Sequence, residues 1–170
     1  MRAVKKSNVI KLKERRSNES YRWINISMFF CLSVPLIFLT CLYVISIISG
    51  DSVFNPVFMD SKLTLAFIIS MIEIFCGYVC NRSVKALKDK KDIDGVKRNL
   101  MIIAISQGLV ANVFGLVLVG FAIIKTFKIK SFKDLDIKKI VTSKINLDFI
   151  FSLFILFISA MCLILIVNIY

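Results

Sequence analysis

Apolar residues in this chain neither alternate nor recur on one face; they come in four nearly uncharged blocks, Trp23 to Ser49, Leu63 to Cys80, Leu100 to Ile124 and Phe149 to Tyr170. The blocks hold 27, 18, 25 and 22 residues, and each reaches the roughly 18 to 20 residues needed to cross about 30 Å of hydrocarbon as a helix. Barrel strands would instead show segments near ten residues with alternating polarity. The pattern predicts an all-α integral membrane protein built as a four-transmembrane-helix bundle, with spans at about 23–49, 63–80, 100–124 and 149–170. Residues 1–22 form a basic cytoplasmic N-terminal segment, in which KLKERR is a candidate surface helix, and residues 23–170 form the transmembrane domain.

A hydrophobic share of 58% and a mean hydropathy of +0.81 over 170 residues agree with this reading, since a soluble core cannot absorb so much apolar surface. A basic stretch precedes the first block, as in a signal peptide. The block is longer than a typical signal core and ends in SIISGDS without a small-x-small cleavage site, so an uncleaved anchor is expected.

Charge sets the orientation. The N-terminal segment carries Arg2, Lys5, Lys6, Lys11, Lys13, Arg15, Arg16 and Arg22, whereas the following loop, GDSVFNPVFMDS, has Asp51 and Asp60 and only Lys62 beside it. Seven basic residues then lie between Arg82 and Arg98. The positive-inside rule puts the N-terminus in the cytoplasm, and the composition suggests the plasma membrane of a bacterium with an AT-rich genome. Seven further lysines from Lys125 to Lys144 fall on a loop that four crossings would place outside, leaving 15 basic residues inside against 8. If Leu100 to Ile124 dipped in and returned, the balance would be 22 against 1. Four crossings remain the expected arrangement, because re-entrant segments are uncommon and imply a pore-like or transporter-like protein.

The loop TFKIKSFKDLDIKKIVTSKIN interleaves apolar residues with lysines, a mixture suited either to the lipid interface or to the end of the bundle. The net charge of +12 lies between the spans and comes with no groove-reading motif, so no nucleic-acid partner is expected. The expected partners are the lipid bilayer, anionic lipid in particular, and other membrane proteins or further copies of the chain.

One acid, Glu73, interrupts the second block. Ala66, Ser70, Glu73, Gly77 and Cys80 follow one another at spacings of 4, 3, 4 and 3, a stripe of small and polar side chains along one helix face. In the third block Ala104, Gly108, Ala111, Gly115, Leu118 and Ala122 repeat the pattern. Small residues let helices approach closely in lipid, so the second and third spans are expected to pack along these two seams. Antiparallel helices would then set Glu73 level with Gln107, with Asn112 one turn further out, and these two amides are its candidate partners. No cation lies inside any block, so the carboxyl is expected to be neutral and to donate one hydrogen bond.

Pro35 predicts a kink in the first span, and Trp23, Tyr21 and Tyr170 suit interfacial anchors. With no histidine, no nucleotide-binding or nucleophile motif and no clustered carboxylates, no enzyme activity, metal or cofactor is expected. The five cysteines all fall within blocks and read as small hydrophobes without disulfides.

Two functions remain. The favoured one is an accessory or scaffold subunit acting through membrane-protein or lipid contacts. The other is a small oligomeric transporter or channel that uses Glu73 as a proton or cation site, with Gln107, Asn112 and Ser70 beside the path.

Overall fold

The computed structural model describes residues 2–50, 52–89, 92–129 and 145–169, with side chains from Tyr21 onward. Every regular element among them is an α-helix: α1 (Arg2–Ser49), α2 (Asn55–Met59), α3 (Ser61–Lys88), α4 (Ile93–Leu109), α5 (Val113–Phe127) and α6 (Leu147–Ile169). Three stretches are long and apolar enough to cross a membrane, Tyr21–Ser49 within α1, Ser61–Lys88 and Leu147–Ile169. The apolar helix α5 is shorter. The basic N-terminal segment and the first apolar block are not separated by a break, since α1 runs through both and contains Pro35.

The expected third span is not one helix. α4 stops at Leu109 and α5 starts at Val113, with Ala111 between them in the left-handed region at φ 58°. The break is a complete helix-ending motif: the Ala111 N–H donates to the Gly108 carbonyl at 3.2 Å and the Asn112 N–H to the Gln107 carbonyl at 2.9 Å. These bonds occupy two carbonyls that a continuing helix would have used. Asn112 then opens α5, its side-chain oxygen accepting the Gly115 N–H at 3.0 Å, as a capping residue does.

The two arms fold back on each other as an antiparallel helical hairpin. Lys97, near the start of α4, has its ammonium 5.2 Å from the centre of the Phe127 ring at the end of α5. Near the tip, a Cβ on Gly108 would meet Leu116 at 3.8 Å. Gln107 lies 14 residues into α4 and Asn112 lies 15 residues before Phe127, so each arm is about 21 to 22 Å long at about 1.5 Å per residue.

Several contacts gather the other ends beside the base of this hairpin. Arg82, near the end of α3, pairs with Asp148 of α6 at 3.0 Å. Asn146 donates to Asp92, the capping residue of α4, at 2.6 Å. The Arg98 guanidinium lies 3.9 Å over the ring of Phe149. From α1, Trp23 stands edge-on to Phe121 with ring centres 4.5 Å apart, so it packs against α5 rather than serving only as an anchor. The opposite end holds α2 and the start of α3, where Asp60 caps α3 by accepting the Lys62 N–H at 2.8 Å.

α3 is the central helix, packed against both α1 and α6, and among the described residues those two make no close backbone approach to each other. Between those two, α5 packs on α1 and α4 packs on α6. The hairpin thus closes a ring of helices, and only in the half of the bundle that it reaches. Of the loop 126–146, assigned from sequence to the lipid interface or the bundle end, residues 130–144 lie outside the described residues, as does Tyr170.

Candidate functional site

The hairpin tip meets α3 at Glu73. This residue lies 12 positions after Ser61 and 15 before Lys88, about 18 and 22 Å along the helix from its two ends. The carboxyl is therefore near the middle of an apolar helix, and it is completely buried. Two amides reach it, one from each arm of the hairpin. Gln107 Nε2, on the last turn of α4, donates to Oε2 at 3.1 Å. Asn112 Nδ2, from the break, donates to Oε1 at 2.9 Å.

These bonds join three backbone elements through one acid. In a low-dielectric setting a hydrogen bond to a charged group contributes about 1.5 to 3 kcal/mol, and leaving such a group unpaired costs more. Each oxygen accepts one amide N–H, which lone pairs on the neutral carboxyl and on the carboxylate both allow.

Asn112 serves two purposes at once. Its Nδ2 holds Glu73 while its Oδ1 caps α5, so the acid is attached to the start of a helix whose free N–H groups favour negative charge. Gln107 is used less completely. Its Nε2 also donates to Cys76 Sγ at 3.2 Å, while its Oε1 is buried without a partner among the described residues. That oxygen lies over Gly115, where a methyl group would collide with it.

The other residues singled out from sequence are placed differently. Ser70 is buried less than one turn before Glu73, yet its hydroxyl donates to the Phe67 carbonyl at 2.8 Å, within its own helix, and not to this network. Gly77 does not face the third block. Its bare side receives Leu32 of α1, whose Cγ and Cδ2 would stand 3.0 Å from a Cβ. The seam in the third block is divided by the break, so that Ala104 and Gly108 lie on α4, Ala111 in the link and Gly115 on α5. Gly108 and Ala111 are exposed, and Ala66 and Ala104 are half-buried. The second and third blocks meet through Glu73, Cys76, Gln107 and Asn112, not along two continuous small-residue stripes.

Sequence reasoning missed the thiols of this site. Cys76 follows Glu73 by one helical turn and shares Gln107 with it. Cys31 comes from α1 and faces the same carboxyl. The spacing of three between Glu73 and Cys76 was a legible signal, whereas nothing in the order of residues brings Cys31 to this point. Among the described residues no three His, Cys, Asp or Glu side chains are grouped to hold a metal ion.

Compared with protein families, curated proteins and solved structures, the chain matches none.

Proposed function

We propose that the chain is a small transporter or channel of the membrane, crossing it with α1, α3 and α6 and inserting α4 and α5 from the cytoplasmic side as a re-entrant hairpin. Glu73 is its proton- or cation-binding group. The observation that carries this reading is the bond from Asn112, at the tip of the hairpin, to Glu73, near the middle of α3. Non-helical backbone at membrane depth is tolerated where protein buries it or where it lines a water-filled cavity, and broken helices at mid-depth are the usual setting of transporter sites. An intramembrane acid is costly to bury and by default points to a functional site.

Charge supports the same topology. With the hairpin returning to its starting side, 22 of the 23 Lys and Arg residues lie on the cytoplasmic side and only Lys62 lies on the other, as the positive-inside rule requires. The bacterial plasma membrane and the cytoplasmic N-terminus belong to this proposal.

The test is flux across vesicles of defined lipid containing the purified chain. The wild type is expected to move protons or monovalent cations, and Glu73→Gln to abolish that movement while still inserting. Equal flux in the two proteins would exclude Glu73 as the binding group.

A second reading, an accessory or scaffold subunit, draws support from the complete burial of Glu73 with both oxygens occupied, which is how a register-fixing contact is built. It expects no flux in either protein, and for Glu73→Gln a loss of stability or of recovered membrane partners.

A further inference from the structure

We propose that the species exchanged at Glu73 is the proton, and that Gln107 registers its arrival by rotating its side-chain amide. This rests on the reading of Glu73 as a binding group, but concerns the pair itself.

An ionised carboxylate only accepts hydrogen bonds. Glu73 receives one amide N–H on each oxygen, and Cys31 of α1 is a third hydrogen-bonding partner. A proton on one oxygen adds an O–H donor there, and the amide facing it accepts that donor by presenting oxygen in place of nitrogen.

The two amides differ in their freedom to do so. Asn112 is fixed, because its Oδ1 accepts the Gly115 N–H. Reversing it would aim an NH₂ group at that N–H and remove the cap of α5. Gln107 has no such tie. Its Oε1 is buried without a partner among the described residues, on the side left open by the missing side chain of Gly115. A half-turn of the terminal amide carries Oε1 to Glu73 Oε2, where it accepts the new O–H, and carries Nε2 away from Cys76 Sγ. One proton is bound, one hydrogen bond reverses direction and one contact between α3 and α4 is released. The contact between α3 and α5 through Asn112 persists. Protonation therefore loosens one arm of the hairpin and not the other.

A metal cation suits the same donors poorly. Hard cations collect several oxygen ligands, whereas both carboxylate oxygens here already face N–H hydrogens. Among the described side chains facing Glu73, the oxygen without a partner is Gln107 Oε1. The titratable groups facing Glu73 are Cys31 from α1 and Cys76 and Cys80 on α3 itself. α4 and α5 contribute the neutral amides. On α6, Asp148 is paired with Arg82 and Cys162 is a buried thiol.

The experiment is a nuclear magnetic resonance pH titration of the whole chain in phosphatidylcholine nanodiscs, with ¹³C in the Glu carboxyls and ¹⁵N in the side-chain amides. Glu73→Gln and the milder Glu73→Asp assign the carboxyl signal. Between about pH 4 and about pH 10, a range that brackets ordinary carboxyl and lysine titration, the Glu73 carboxyl is expected to titrate. The Gln107 NH₂ signals should move with the same midpoint while those of Asn112 stay in place. A carboxyl that does not titrate, or a response at Asn112 with Gln107 silent, overturns the proposal. Vesicle flux separates the two claims: coupled titration without flux keeps the proton pair and removes the transport reading, and flux with Gln107 silent does the reverse.

Discussion

Glu73 and Asn112 stand 39 positions apart in the chain, yet Asn112 Nδ2 lies 2.9 Å from Glu73 Oε1. The same asparagine side chain caps α5 through the Gly115 N–H. A single residue thus ends the break in the hairpin and attaches its tip to the acid of α3.

Asn112→Ala removes both contacts. Loss of a helix cap costs about 1 kcal/mol and loss of a hydrogen bond to a buried carboxyl about 1.5 to 3 kcal/mol, so a total near 3 kcal/mol is expected. Asn112→Ser retains a capping oxygen and should recover the smaller part. Denaturant unfolding of the purified protein in mild detergent measures both.

Gly115 and Gly120 lie on the same helix and respond oppositely to alanine. A methyl at 115 collides with Gln107 Oε1 and approaches Asn112 Nδ2 to 2.8 Å, whereas at 120 nothing lies within 4 Å. Gly115→Ala is expected to cost about 1 to 3 kcal/mol, as overpacking does. Gly120→Ala should be neutral or gain up to about 1 kcal/mol from helix propensity. Thermal unfolding midpoints of the two variants give the comparison.

Ala111 tests the break by the sign of a single substitution. It occupies the left-handed region at φ 58°, which costs an L-residue about 1 to 2 kcal/mol and glycine almost nothing. Ala111→Gly should therefore stabilise the protein by about 1 kcal/mol. In a continuous helix the same change would cost about 1 kcal/mol, so an unfolding curve shifted to lower denaturant would contradict the hairpin.

The re-entrant topology proposed above puts the lysine-rich loop on the cytoplasmic side. A cysteine introduced as Ser131→Cys should react with a membrane-impermeant maleimide in inside-out vesicles and remain protected in intact cells. Of the native cysteines, Cys31, Cys76, Cys80 and Cys162 are buried and Cys41 falls inside the long apolar stretch of α1, so none should compete. Labelling from the outside would restore four crossings.

Much of the site was legible as a list and little of it as an arrangement. Glu73 was visible as an acid in an apolar block, and counting residues from the two block ends set Gln107 at its level. That counting survives the break because the first arm of the hairpin enters from the same end as a full span would. The packing seams did not transfer. Gly77 meets Leu32 of α1, since small residues mark where some helix approaches closely without naming which helix it is.

The sequence by itself determined that the chain is helical and suited to a membrane, because long uncharged runs can bury their backbone polar groups in lipid only by bonding them within one helix. It determined the basic and acidic ends as well, and the excess of lysine in the last loop was its one hint that the third block returns. Only the tertiary structure decided that block's path. Residues 109 to 113 are apolar apart from Asn112 and contain neither glycine nor proline, so nothing local forbids a continuous helix there. The turn becomes favourable when Asn112 finds two partners at once, the Gly115 N–H beside it and a buried carboxyl 39 positions away. The second partner exists only once α3 is in place.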